Sequence, residues 1–327
     1  MTELVHVHGS HNSFYLLDQT LFETPLSQKQ LIQLAQKFCQ KKGDWPGADG
    51  LLVIDEPTHA GPLGKMTVVN ADGSIASMCG NGLRTVARYL SEREGQTAFT
   101  VETAESDLKV RREADFVPGV PAFSVEISPI RFNKKAFPFD HLEKERIFDT
   151  KLPVLHDYLH FTAIAVPNPH LISFVETDED LTDTLGQLGQ RLNAENPYFP
   201  DGVNVNFAKI LDKNILFVHT YERGVGFTNA CGTGMSATSY AFSMIHPELV
   251  DVSKELTIYN PGGMVKTRIH QDKEQPWIEL IGNATFIDKV TIPEEYLSSG
   301  HFDLAQLRPV QTGEETNYNR FVANLPH

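Results

Sequence analysis

Asn70 to Arg84 reads NADGSIASMCGNGLR, and Thr220 to Gly234 reads TYERGVGFTNACGTG. In each, turn residues lead into Cys, Gly, a polar residue and Gly. A segment with helical periodicity follows: LRTVARYLSER after Cys79 and MSATSYAFSMI after Cys231. A string that recurs once in each half of the chain predicts two copies of one architectural unit. The match outside these strings is weak, so the duplication stands as an expectation for the structure to test.

Outward from the two strings the chain reads as strand-rich. Residues 4–8 and 14–18, GLLVID, MTVVN, FTVETAES, LKVRRE and AFSVEIS have strand patterns in the first half. In the second half so do HFTAIAVPNPHLISFVE around a Pro-bounded turn, VNVNFAKI, NILFVHTYERG, ELTIYN, MVKTRI and WIELIG. Helices are expected over TPLSQKQLIQLAQKFCQ, where Ser27 supplies the cap, and over LTDTLGQLGQRLN. The polar stretch 131–151 is the expected domain boundary, since few contacts should cross such a segment. This sets the domains at 1–130 with Cys79, 131–286 with Cys231, and a 287–327 tail that is expected to be partly ordered.

A chain of 327 residues exceeds what one core usually organises, in line with two domains. The formal charge of -14 opposes binding to nucleic acid and to anionic membranes, and no apolar run is long enough to span a bilayer. MTELVHVHGSHNSFYLLD has neither a signal-peptide nor a transit-peptide pattern, so a cytoplasmic location is expected. Three cysteines then read as free thiols rather than a disulfide framework. Oligomeric state is not legible, and a homodimer is left open.

Glycines around a polar residue at the mouth of a helix leave backbone N–H groups aimed at one spot, which suits an anion. The helix dipole favours a carboxylate there and lowers the pKa of an adjacent thiol from about 8.5. Two such units around one substrate would hold a carboxylate and set one thiol on each side of the neighbouring carbon, as stereoinversion of an amino acid requires. Donors around the carboxylate would each contribute roughly 100- to 1000-fold. The thiols would add roughly 100- to 10,000-fold as acid and base. Cys39, on a helix without such a context, reads as a small buried hydrophobe. His6, His8 and His11 resemble a metal cluster because alternate strand residues share a face, but no carboxylate or Cys lies near them in sequence, a strand entering a turn explains the spacing, and no metal site is expected. Asn283-Ala-Thr is a glycosylation sequon by pattern only.

The two cysteine blocks, with HGSHNSF from His8, GADG around Asp49, NPH at Asn168 to His170 and DGVNVNF around Asn204, resemble the diaminopimelate epimerases. That family lies within the superfamily that includes the proline racemases. The resemblance implies an α/β (α+β) fold of two pseudo-symmetric domains, each a curved barrel-like sheet around a central helix. The active site would lie in the interdomain cleft, and IDKVTIP from Ile287 would return to the first domain. By the same resemblance Cys79 and Cys231 are the catalytic thiols, and His170 and Glu222 are polar groups that poise them. Backbone donors of Gly80, Asn81, Gly232 and Thr233 would hold the reacting carboxylate. Asn12, Asn70, Asn168, Asn204 and Arg223 would recognise the distal end.

The implied activity is interconversion of LL- and meso-2,6-diaminopimelate in lysine and peptidoglycan precursor synthesis, with a small-molecule amino-acid substrate, no cofactor and no metal. The alternatives are a racemase of another polar amino acid such as histidine and, in a different class, an amino-acid-binding or thiol-redox protein. Ser13, Gly50 and Phe227 depart from the family pattern, and they bear on substrate identity rather than on the thiols. Residues 111–151 and those after Pro293 look like additions to the family length.

Overall fold

Strand β1 (Thr2–Gly9) and strand β2 (Asn12–Asp18) form an antiparallel hairpin in which Leu4 faces Leu17 and Gly9 faces Asn12. Its two loop residues, Ser10 (φ 54°) and His11 (φ 62°), both take the left-handed conformation demanded by a I′ hairpin turn. The computed structural model describes residues 1–272 and 275–326. Within it the chain divides into two compact units, Met1–Val125 with Ile281–Pro326, and Glu126–Leu280.

In the first unit α1 (Gln28–Phe38) starts at Ser27, whose side chain and that of Gln30 satisfy each other's backbone N–H groups. Its apolar stripe, Leu31, Leu34, Ala35 and Phe38, is buried against β3 (Gly50–Asp55) and β4 (Gly64–Asn70). The crossover through α1 lets β3 run parallel to β2. After β5 (Ile75–Ala76), helix α2 (Gly80–Glu94) is the crossover from β4 to the parallel strand β6 (Ala98–Glu102). Strands β7 (Asp107–Arg112) and β8 (Ala122–Ile127) then add antiparallel. Helix α2 touches β1, β2, β3, β4 and β7, and every residue from Gly80 to Arg88 is buried. A helix reached from so many strands of one sheet lies inside its curl.

The second unit repeats this order. After β9 (Thr150–Lys151) come β10 (His160–Ala165) and β11 (Pro169–Phe174), a wide π-helical turn over Asp180–Thr184, α3 (Leu185–Asn193), β12 (Asn204–Asp212), β13 (Ile215–Glu222) and β14 (Gly226–Thr228). Helix α4 (Gly232–Ile245), β15 (Leu256–Asn260) and β16 (Gly263–His270) follow. The parallel joins recur at the matching places, β11 with β12 across α3 and β13 with β15 across α4. Helix α4 touches β10, β11, β12, β13, β15 and β16 and is buried on nearly all sides. The repeat expected from two short strings thus extends to every major element.

The polar stretch 131–151 does not behave as a linker. Its apolar residues Phe137, Phe139, Leu142 and Ile147 are buried with Phe161, Leu185, Phe199 and Phe207 in the core of the second unit. Full burial of such a side chain contributes about 2 kcal/mol, so the segment joins that unit, and the division falls at Val125/Glu126 rather than after residue 130.

The first unit resumes at Ile281, within β17 (Trp277–Asn283) and ahead of the expected Ile287. Gly282 packs on Arg84, and the Asn283 side chain accepts a hydrogen bond from the Ser10 N–H. Strand β18 (Thr285–Ile292) then pairs antiparallel with β1, from Thr2 opposite Ile292 to His8 opposite Thr285. The tail after Pro293 forms α5 (Glu294–Ser299), a short β19 (Val310–Gln311) beside β18, and α6 (Glu314–Ala323), whose Tyr318 is fully buried. Among the described residues no helix is long and apolar enough to cross a membrane.

Candidate active site

Cys79 and Cys231 are the N-cap residues of α2 and α4, the two central helices. Each follows a short strand that ends in extended backbone, so the thiol sits where the first-turn N–H groups have no intrahelical carbonyl.

In the first unit the Gly82 N–H donates to Cys79 Sγ (3.4 Å), and the thiol in turn donates to Asn12 Oδ1 at 3.7 Å. Asn81 Nδ2 donates to the same oxygen at 3.2 Å. The orientation of the Asn12 amide is fixed from behind, since its Nδ2 donates to Asp49 Oδ2 (2.7 Å) and the Ser13 N–H donates to that oxygen as well (2.8 Å). Asn70 donates to Ser74 Oγ at 2.9 Å. The second glycine of the string has a packing reason: a Cβ on Gly82 would lie 2.7 Å from Leu52 Cδ2. Gly50, one of the departures from the family pattern, has no room for a side chain either, because a Cβ there would meet the Val69 carbonyl oxygen at 2.7 Å.

In the second unit Cys231 lies 3.6 Å from Thr233 Oγ1 and hydrogen-bonds the Glu222 carboxylate. His170, fully buried, connects to the same thiol through Thr233. Asn206 Nδ2 donates to His170 Nδ1 (3.1 Å), so the ring proton is on Nε2, which lies 3.1 Å from both Thr233 Oγ1 and Asn168 Oδ1. Burial pushes His170 down to about 3, and it is therefore neutral. Burial first, and then the Glu222 charge, push the Cys231 thiol up. The expected lowering by the helix end is outweighed here, because the backbone and Thr233 donors do not offset the loss of solvent. Cys231 rests as a thiol.

The remaining expected residues divide by role. The Asn204 side chain accepts the Arg223 N–H (2.8 Å), and Arg223 itself is exposed, donating from Nη1 to the Asp201 carbonyl (2.9 Å). Phe227 shares a strand face with Tyr221 and His219, whose rings it meets at 5.5 and 4.8 Å, while the neighbouring Thr228 hydroxyl donates to Glu222. This departure from the family pattern points away from the thiol.

Sequence reasoning missed Asn206, whose amide joins Thr220 to His170. The signal was present in the alternation of Asn204 and Asn206 on one strand face. Asp49, within the GADG string, owes its part to the tertiary bond from Asn12, which sequence alone does not reveal. Cys39 caps the end of α1, is buried, and is pushed up to about 12 by that burial, in accord with a packing role.

The histidine cluster is changed by the fold. Glu315, from α6, brings a carboxylate whose oxygen lies within 4.8 Å of ligand atoms of His8 and His11. The donor types would suit a cation, but the hydrogen bonds oppose it. His8 Nδ1 accepts the His11 N–H (3.1 Å) and lies 3.3 Å from Asn283 Nδ2. Neutral His8 then carries its proton on Nε2, the atom nearest Glu315, and that nitrogen has no lone pair to offer.

Comparison with known proteins agrees with this architecture. The sequence model of the family described as "Diaminopimelate epimerase" matches residues 4–120 and 162–287. Diaminopimelate epimerase of Lactiplantibacillus plantarum is 50% identical over 99% of this chain and 98% of that protein. That of Enterococcus faecalis is 44% identical over 98% and 97%. Among solved structures, a phenazine biosynthesis protein of the PhzF family from Bacillus anthracis superposes with a TM-score of 0.60 at 13% identity, covering 89% of this chain and 99% of that one. A probable proline racemase from Agrobacterium radiobacter gives 0.58 at 13%, covering 99% and 100%. These two likenesses show the fold. With the family model matching most of the chain and relatives near half identity over their full length, the chain belongs to the diaminopimelate epimerase family.

Proposed function

We propose that the protein interconverts LL- and meso-2,6-diaminopimelate in the cytoplasm, serving lysine and peptidoglycan precursor synthesis, with Cys79 and Cys231 as the two proton-transfer groups. The observation that carries this reading is the duplicated placement of a thiol at the N-cap of each central helix. One thiol removes the α-proton while the other delivers a proton to the opposite face of the same carbon.

Negative charge builds on the substrate carboxylate as the α-proton leaves. The first-turn N–H groups at Gly80, Asn81, Gly232 and Thr233 are the donors assigned to it, and donors fixed in advance lower the barrier because they need not reorganise. Cys231, held protonated by burial and Glu222, supplies a proton in one direction. In the reverse direction it must lose that proton, and the Thr233 hydroxyl, oriented by neutral His170, is placed to stabilise the thiolate. Arg223 grips the distal carboxylate with its fork, and Asn12, Asn70, Asn168 and Asn204 complete recognition of the distal zwitterion.

The test is incubation of the reduced protein in heavy water, without added cofactor, with diaminopimelate, histidine and proline in separate reactions. Deuterium at the α-carbon of diaminopimelate alone is the expected result. Exchange on histidine in preference to diaminopimelate would replace this substrate assignment, and no exchange on any of them would remove the enzymatic reading.

A further inference from the structure

The turn that carries Asn12 to Cys79 is strained. Ser10 and His11 hold positive φ in succession, which costs of order 1 kcal/mol at each residue lacking glycine's freedom and persists only where the surroundings enforce it. Two hydrogen bonds to its backbone N–H groups help enforce it here. Asn283 Oδ1 accepts the Ser10 N–H at 2.8 Å, and His8 Nδ1 accepts the His11 N–H at 3.1 Å.

The second bond exists in only one tautomer of His8, the one with its proton on Nε2. That nitrogen lies 2.8 Å from Glu315 Oε2, and the His8 side chain is 1% exposed. A carboxylate facing Nε2 favours the proton there and leaves Nδ1 as the acceptor. Helix α6, which presents Glu315, is anchored independently. Arg88 grips Glu314 with both terminal nitrogens (2.5 and 2.7 Å), and Tyr318 packs edge-on against His8 and His11 with ring centroids at 4.7 and 5.0 Å.

We propose that Glu315 is a positioning residue for the Cys79 half-site: through His8 it locks the Ser10–His11 turn, and thereby holds the Asn12 side chain against Cys79 and Asn81. This gives the C-terminal segment after β18 a part in the reaction through its contact with His8. The activity readout rests on the epimerase reading, whereas alkylation of Cys79 is measured without turnover.

The experiment compares full-length Glu315→Ala, Glu315→Gln and Glu314→Ala. For each, kcat and KM on LL-diaminopimelate are measured, together with iodoacetamide rate constants for Cys79 and Cys231 resolved by peptide mass. Glu315→Ala is expected to lower kcat about tenfold, as a small misplacement of a reacting group does. It should also change the Cys79 alkylation rate severalfold while leaving that of Cys231 unchanged. Glu315→Gln should restore most of both, because its amide oxygen can take the place of the carboxylate oxygen that lies 2.8 Å from Nε2.

Glu314→Ala loosens the same helix and should lower Tm, with kcat within about twofold of wild type because the His8 contact survives. If Glu315→Ala does not fold, Glu315→Asp, which withdraws the carboxylate by one methylene, takes its place with the same expectations at smaller amplitude. Wild-type kcat and Cys79 reactivity in Glu315→Ala, or an equal loss of kcat in Glu314→Ala, would overturn the proposal. Absence of turnover in the wild-type protein would count against the epimerase reading, and the Cys79 alkylation contrast would still decide the role of Glu315.

Discussion

Gly234→Ala adds one methyl group in the first turn of α4, where the change from glycine normally stabilises by up to about 1 kcal/mol. Here the new Cβ would lie 2.2 Å from Asn206 Oδ1, more than an ångström inside ordinary contact. The obstacle is not a free side-chain end. The Asn206 amide accepts from Thr220 and donates to His170, all within a fully buried layer, so its retreat gives up hydrogen bonds that no solvent replaces. Overpacking costs about 1–3 kcal/mol, and an unsatisfied buried group costs about 1–3 kcal/mol more. Against the propensity gain, the net expectation is a loss of about 3 kcal/mol, read by urea unfolding, together with a fall in kcat from the displaced His170. Gly82→Ala serves as the contrast, because its Cβ would crowd only the methyl end of Leu52, with Cys79 Sγ at an ordinary contact distance of 3.6 Å, and should cost about 1 kcal/mol. A Gly234→Ala protein more stable than wild type would refute the reasoning.

Three further expectations follow from the same geometry. Cys39, buried and pushed up to about 12, should be alkylated more slowly at pH 8 than Cys79 in the native protein, and equal rates would contradict its placement. His170 is neutral when folded, with its pKa pushed down to about 3 from an ordinary 6.5, so the unfolded chain binds the extra proton between those values. Stability from this group is complete above pH 6.5 and should decline as pH falls toward 3, by up to about 1.4 kcal/mol per pH unit; His170→Gln should flatten that slope, and an unchanged slope would count against the burial argument. Activity should survive dialysis against a strong chelator without added pyridoxal phosphate, since His8 Nε2 is committed to its proton; loss restored by a divalent metal would require the His8, His11 and Glu315 cluster to be a metal site.

Local signals in the sequence were sufficient for several elements. The Ser27 cap and the apolar spacing after it predict α1, and the two Cys-Gly-polar-Gly strings predict the starts of α2 and α4. What was not legible depends on contacts remote in sequence. Glu315 meets His8 only because β18 returns the chain to β1 and α6 then folds over the hairpin. The segment 131–151 reads as polar because its aromatic residues lack helix or strand periodicity, yet those residues enter the core of the second unit from irregular backbone. The charge state of Cys231 escaped for a related reason: a helix N-terminus is visible in sequence, whereas the burial and the Glu222 carboxylate that outweigh it are tertiary.

The central claim is that inversion needs both thiols, and it is tested most directly by following LL-diaminopimelate in heavy water with wild type, Cys79→Ser and Cys231→Ser. Wild type should give meso product carrying deuterium at the inverted α-carbon. Each serine variant should lose inversion by at least about a hundredfold, while still binding substrate and, through the remaining thiol, washing deuterium into one isomer without inverting it. Inversion at near wild-type rate in either variant would contradict the two-thiol account.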